Sequence, residues 1–290
     1  MLASMQGSIP SYISGIRCWA AFNDSLGRTR HFPVTEESAI QFAAAFHSAA
    51  TYEQYLKHLR FAHRLLRLDN SWYTQAVVQV KKGAAKLNTQ VRKKVALHSK
   101  EVRDMIKLVM EADIEMAALM AVSRLFLFRV PSEALPLQRN GDHSSVLLCE
   151  NKATVTLAKR KNTRAPSELV RECCCLTSGR ALCAVHWLRR LKKLAPERGR
   201  VFTTPLHRVR QILRNVAREA GVVDWCYVST HSFRRGMAQD IMDTGCPLSV
   251  LLRAGGWSSA AYTEYLRQDQ GCEAAVGHAV MMLSDSEDDV

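Results

Sequence analysis

Two segments toward the C-terminal end carry the residue types of phosphoryl chemistry. The first is Thr230-His-Ser-Phe-Arg-Arg-Gly-Met-Ala-Gln-Asp240. His231 and Arg234 stand three apart, so at the start of a helix they share a face. The second is Arg253-Ala-Gly-Gly-Trp-Ser-Ser-Ala-Ala-Tyr-Thr-Glu-Tyr-Leu-Arg267, an Ala-Gly-Gly-Trp turn leading into a short helix that bears Tyr262 and Tyr265. A tyrosine hydroxyl can serve as nucleophile, and a histidine can move a proton. Arginine presents a planar, always-charged fork to anionic oxygens. Taken singly, each residue also has a structural reading: His231 at a helix N-terminus, Trp257 in a core, a tyrosine on an amphipathic face.

A third cluster is of another kind. Cys173, Cys174 and Cys175 are consecutive, and Cys183-Ala-Val-His186 follows. These residues could supply four soft ligands for zinc. The reading preferred here is small apolar side chains on a strand and a helix, with no metal assigned. The nine cysteines are odd in number, and residues 1–10 show neither a basic nor an apolar leader segment. A reducing compartment, cytosol or nucleus, is therefore expected rather than a disulfide framework.

The elements that must position these groups can be read from periodicity. Helices are expected over 9–23 and over 35–47, the latter capped by Thr35. A third carries Tyr52, Tyr55, Leu56, Leu59, His63 and Leu66 on an apolar face and Lys57, Arg60, Arg64 and Arg67 as a basic ridge on another. Residues 81–98 hold six basic and no acidic side chains and read as a linker or its edge. Helices at 99–111 and 113–128 precede a change of period. Residues 145–149 and 154–159 read as a β-hairpin, with a third strand at 168–174. Helices resume over 181–194, 206–219, 232–244, 247–254, 258–267 and 272–283. The fold class is mostly α with a small antiparallel β-sheet (α+β). The expected division is a helical domain at 1–90, a basic linker at 91–98, a second domain at 99–283 and an acidic, disordered tail at 284–290.

The 290 residues carry a formal charge of +13. Residues 1–94 account for +8 of it and the remaining 196 for +5. Such an excess favours a polyanionic partner, most often nucleic acid. No run approaches the ~20 apolar residues of a membrane span, so none is expected.

Taken in order, His231-x-x-Arg234, Gly255-Gly256-Trp257 and Tyr265-Leu266-Arg267 resemble the tyrosine recombinases, most closely in the Cre-like form of the catalytic domain. The resemblance spans roughly residues 96–279 and is strongest in the last part. It implies a helical core-binding domain and a catalytic domain that close around double-stranded DNA. It also implies strand cleavage and religation by transesterification through a 3′-phosphotyrosyl link. Tyr265 is then the nucleophile. The Trp257-to-Tyr265 interval is one residue shorter than in the Cre-like form, which keeps Tyr262 as the alternative. Arg129, in Phe126-Leu-Phe-Arg-Val-Pro-Ser-Glu-Ala-Leu-Pro-Leu137, matches the first arginine box and would clamp the phosphate with Arg234. Glu133 would support Arg129, with three residues between them where the family usually has two. Lys161, in the tip Arg160-Lys161-Asn162, would be the general acid, with Lys159 as its rival. His231 would assist proton transfer, and Trp257 would pack on or hydrogen-bond the phosphate. The implied chemistry uses no metal ion, no cofactor and no small-molecule substrate.

The same resemblance implies a homodimer on one site and a homotetramer in synapsis, the terminal helix at 272–283 docking into a neighbouring protomer. Lys57, Arg60, Arg64, Arg67, Arg92, Lys93 and Lys94 are the candidate DNA contacts. The strings Arg-Val-Pro-Ser-Glu-Ala-Leu, Arg-Lys-Asn and His-Ser-Phe-Arg-Arg-Gly look like recombinases of eukaryotic mobile elements. That origin would place the protein in the nucleus, and any other in the cytoplasm. Two alternatives use the same residues: a type IB topoisomerase-like nicking-closing enzyme, and a domesticated DNA-binding protein without catalysis.

Overall fold

Among the described residues, apolar side chains at helical spacing build a main core in each of two units, and the chain divides into Met1–Arg92 and Lys93–Val290. The computed structural model describes residues 9–87, 94–160 and 166–257. Arg92, Lys93, Lys161, Tyr262, Tyr265, the expected helices at 258–267 and 272–283 and the acidic tail lie outside the described residues.

The first unit consists of α1 (Ile9–Ser25), α2 (Glu36–Phe42), α3 (Ala49–Leu65) and α4 (Gln75–Leu87). Thr35 caps α2 as expected: its hydroxyl accepts from the Ser38 N–H, and the Ser38 hydroxyl accepts from the Thr35 N–H. Trp19, Phe42, Tyr52, Leu56, Leu59, Trp72 and Val77 form the core. Two of its polar groups find backbone partners. Trp19 Nε1 donates to the His31 carbonyl at 2.6 Å, and the Tyr52 hydroxyl donates to the Ala39 carbonyl at 2.8 Å. His63 accepts from the Val34 N–H at 3.0 Å and turns Nδ1 to the Asp69 carbonyl at 2.5 Å, a buried and fully engaged histidine.

Three expectations change in this unit. The α-helix begun at Thr35 stops at Phe42 and ends in one 3-10 turn, Ala43–Ala45. The third helix ends at Leu65, so Leu66 is exposed and Arg67 sits beyond it with φ 56°. The basic ridge on the helix is thus Lys57, Arg60 and Arg64. Residues 81–87 are helical, because Val77 and Val80 pack into the core and the lysines after them continue the same helix.

The second unit begins with α5 (Ser99–Val109) and α6 (Ile114–Leu125). Asp113 caps α6 by accepting from the Met116 N–H at 2.9 Å, and every residue from Met116 to Arg124 is buried. The sheet is an antiparallel meander of β1 (Ser144–Leu148), β2 (Lys152–Leu157) and β3 (Ser167–Glu172). Val146 pairs with Val155, and Val155 with Leu169. With Ala153 and Leu157 they face the core, which gives the alternating burial of β2. A short helix α7 (Cys175–Ser178) and a 3-10 turn, Arg180–Leu182, precede α8 (Ala184–Leu194). The single helix expected over 181–194 is therefore interrupted, because Cys183 takes extended backbone angles at the N-cap of α8.

Then come α9 (Leu206–Glu219), α10 (Ser232–Asp243) and α11 (Leu248–Gly255). Phe126, Phe128, Trp187, Leu188, Phe202, Leu213 and Phe233 fill the core between these layers, each large side chain worth roughly 1.5–3 kcal/mol by burial. The architecture is mostly α with a small antiparallel sheet, as the sequence leads one to expect. No helix among the described residues is long and apolar enough to cross a membrane.

Candidate active site

The loop after α6 sets the first arginine. Leu127 is fully buried and adopts φ 53°, a conformation rare for a branched residue and strained unless its surroundings impose it. Arg129 follows, and then the turn Val130–Ala134 is wound one residue wider than an α-turn. The Ala134 N–H reaches the Arg129 carbonyl at 3.4 Å and the Leu135 N–H reaches the Val130 carbonyl at 2.9 Å. Pro131 lies in its first turn, where a missing N–H is tolerated. Glu133 returns to Arg129, accepting its backbone N–H at 2.9 Å and its guanidinium at 2.7 Å.

Glu133 is only 3% exposed and is shared by two arginines. Arg160 Nε and Nη2 donate to its two oxygens at 3.2 and 3.4 Å. Burial alone would push the carboxyl pKa up, but the charges of Arg160 and Arg129, with their hydrogen bonds, outweigh it and hold the group below the usual glutamate range. Arg160 Nη2 also donates to the Gly255 carbonyl at 3.3 Å. Arg160 is a member of the site that the sequence does not single out. The signal available was its place beside Lys161 in the tip sequence, but nothing in the sequence says that it turns inward.

Gly255 links this pair to the second arginine. Arg234 lies in the first turn of α10 and is wholly buried. Its guanidinium donates to the carbonyls of Leu127 and Gly255 and lies 4.2 Å from the centre of the Trp257 ring, a cation–π arrangement. The two glycines before Trp257 are required. A Cβ on Gly255 would stand 1.8 Å from the indole ring. Gly256 has φ 62°, and a Cβ there would meet Arg160 Nη1 at 2.9 Å. The Gly-Gly-Trp string thus folds the indole back over Arg234.

Arg129, Glu133, Arg234 and Trp257, four residues singled out in the sequence, are therefore joined through Arg160 and two backbone carbonyls into one network. His231 is exposed at the N-cap of α10, one turn before Arg234. Lys159 is exposed next to Arg160. The inward direction of Arg234 was not legible: the guanidinium assigned to a phosphate here faces backbone carbonyls.

The basic candidates on α3 have neighbours within the first unit. Lys57 pairs with Glu53 at 3.2 Å, Arg60 stacks over Tyr73 at 4.6 Å, and Arg64 lies 5.9 Å from the Phe61 ring centre. Lys94 is exposed. Elsewhere in the second unit, Asp240 on α10 binds Arg124, His98 and Ser99.

No protein-family model and no curated protein sequence matches the chain. Solved structures do. A lambda integrase fragment (residues 75–356), as a dimer bound to a COC′ core site, superposes with a TM-score of 0.60 at 15% identity over 93% of this chain and 94% of its own. The XerH site-specific recombinase bound to difH substrate, in a pre-cleavage complex, gives 0.59 at 14% identity over 93% and 79%. The Tn1549 transposon integrase in complex with transposon right-end DNA gives 0.52 at 10% identity over 92% and 99%. Across nearly its whole length, the chain has the fold of this recombinase and these integrases.

Proposed function

We propose that the protein is a site-specific DNA recombinase that cuts and rejoins strands through a 3′-phosphotyrosyl intermediate. The observation that carries this reading is the convergence of Arg129, Glu133, Arg160, Arg234 and Trp257 in one network of hydrogen bonds and a cation–π contact, on a fold shared with DNA-bound XerH and lambda integrase.

In this reading Arg129 and Arg234 hold the scissile phosphate, and Glu133 and Arg160 orient Arg129 and the Gly255 segment. The transition state gains negative charge on phosphate oxygens, which two fixed guanidiniums stabilise without a metal ion. Tyr265 attacks phosphorus. The 5′-oxygen leaves with a proton from Lys161, and His231 assists proton transfer. The phosphotyrosyl bond conserves the energy of the broken phosphodiester, so a 5′-hydroxyl can later reverse the step. A phosphate oxygen approaching Nη2 of Arg234 competes with the Gly255 carbonyl for that donor. DNA binding is thereby coupled to the segment that leads directly to Tyr262 and Tyr265.

Two protomers bind one site and two such dimers form the synapse, as in the lambda integrase dimer and the lambda integrase tetramer on a Holliday junction. The motif strings support a Cre-like catalytic domain of the kind carried by eukaryotic mobile elements, acting in a nucleus. The inward-turned Arg234 favours a second reading, a DNA-binding protein that has lost catalysis.

The test is incubation with nicked suicide duplexes selected from a random library, followed by denaturation. A covalent protein–DNA adduct, lost in Arg129→Ala and Arg234→Ala, is expected. Specific DNA binding without an adduct selects the second reading. Relaxation of plasmid lacking any selected site would favour a nicking-closing enzyme.

A further inference from the structure

Cys173 leaves β3, Cys175 opens α7, Cys183 caps α8 and His186 lies one turn into α8. Their three sulfurs and one imidazole nitrogen lie within 4.8 Å of one another. The Cys183 and Cys173 sulfurs are 3.7 Å apart. The Cys175 sulfur is 3.2 Å from His186 Nδ1. A tetrahedral ion with Zn–S bonds of ~2.3 Å sets its sulfurs about 3.8 Å apart, so the first spacing matches and the second is slightly short. Cys183 is buried and the other three are half-buried, which leaves an entry path for an ion.

We propose that Cys173, Cys175, Cys183 and His186 form a structural zinc site. This replaces the expectation from sequence, apolar packing with no metal. Packing accounts for a buried Cys183, but it does not require four ligand atoms from three successive elements to converge. A set of three thiols and an imidazole selects zinc over magnesium or calcium, which prefer oxygen. Binding displaces three thiol protons, leaves three thiolates and one neutral imidazole on Zn²⁺, and fills all four positions, so the site is closed to catalysis. It would tie the exit of β3 to the start of α8. Two residues before Cys173, Arg171 donates to the Leu125 carbonyl at 2.9 Å and lies over Phe126, so β3 in turn buttresses the loop that carries Arg129. This inference stands independently of whether the protein cleaves DNA.

The test uses the full chain, purified under reducing conditions without chelator. Elemental analysis should find one zinc per chain. Replacement by Co²⁺ should give the visible absorption of a tetrahedral thiolate site. Cys175→Ser and His186→Ala should each weaken metal binding by on the order of tenfold or more, while Cys226→Ser, at an exposed cysteine, should leave it unchanged. Stripping wild type with a chelator should lower its melting temperature, and added zinc should restore it. That last arm holds even if the variants fail to fold. A folded wild-type chain that takes up no zinc or cobalt would overturn the proposal. So would an unchanged melting temperature on chelation, or a Cys173–Cys183 disulfide detected by thiol titration in the reduced preparation.

Discussion

Asp240 shows how one residue can hold the frame of the site without belonging to it. Its carboxylate accepts from Ser99 N–H and hydroxyl at 3.1 and 2.9 Å, meets His98 Nδ1 at 2.5 Å and pairs with buried Arg124. Burial works against its charge, but the bonds from His98 and Ser99 and the charge of Arg124 hold its pKa below the ordinary aspartate value. A depressed folded pKa means that the stabilisation is complete above the unfolded value, about 3.9, and is lost as pH falls through the lower folded value. Glu133 behaves alike. Acid unfolding should therefore steepen below roughly pH 4. Asp240→Asn should cost about 3–5 kcal/mol at neutral pH, because it leaves the buried Arg124 without its ion-pair partner. It should also flatten the acid limb. Urea titrations across pH check both, and a variant as stable as wild type with the same acid limb contradicts this account.

At the scale of elements, α10 is pinned to the segment entering α5. Gly236 faces the Leu97 backbone so closely that a Cβ would stand 1.8 Å from the Leu97 carbonyl oxygen. The Leu97 N–H in turn donates to the Ser232 carbonyl. Gly236→Ala should destabilise the protein by about 1–3 kcal/mol or more and displace His231 and Arg234 with their helix. Equal urea midpoints for variant and wild type would contradict it. On α3, Arg64 is exposed, like Lys57 and Arg60 of the same basic ridge. If it meets a phosphate, Arg64→Ala should weaken DNA binding uniformly across sequences and lower the salt slope by about one. An unchanged slope, measured by titration at several salt concentrations, removes it from the interface.

Helix identity was largely legible because the apolar spacings of α3, α9 and α10 are long and regular, and the meander was legible from the β-branched alternation of Val146, Thr154 and Val155. Three features were not. The lysines after Val80 disguised the end of α4, since charge patterning says nothing about a helix whose opposite face is buried. The wide turn at Val130–Ala134 depends on Glu133 reaching back to Arg129, a tertiary contact. The burial of Arg160 and Arg234 depends on carbonyls contributed by Leu127 and Gly255, distant in the chain.

At the scale of the whole molecule, the fold is that of proteins solved as DNA-bound dimers and tetramers. The segment 272–283, with Ala274, Ala275, Val276, Ala279, Val280 and Leu283, is the proposed link between protomers. Deleting 271–290 should abolish assembly on paired sites while leaving binding to a single half-site. Gel shifts and sedimentation on one- and two-site duplexes read both, and a deletion that still forms the higher complex would exclude this role.

The central claim, cleavage through a tyrosine on the segment that follows Trp257, is tested most directly by covalent trapping on nicked suicide duplexes with wild type, Tyr265→Phe and Tyr262→Phe side by side. The account predicts an adduct with wild type and Tyr262→Phe and none with Tyr265→Phe. Loss only in Tyr262→Phe would contradict the assignment of the nucleophile. An adduct that survives in both variants, or no adduct in a wild-type protein that binds the DNA, would contradict the mechanism itself.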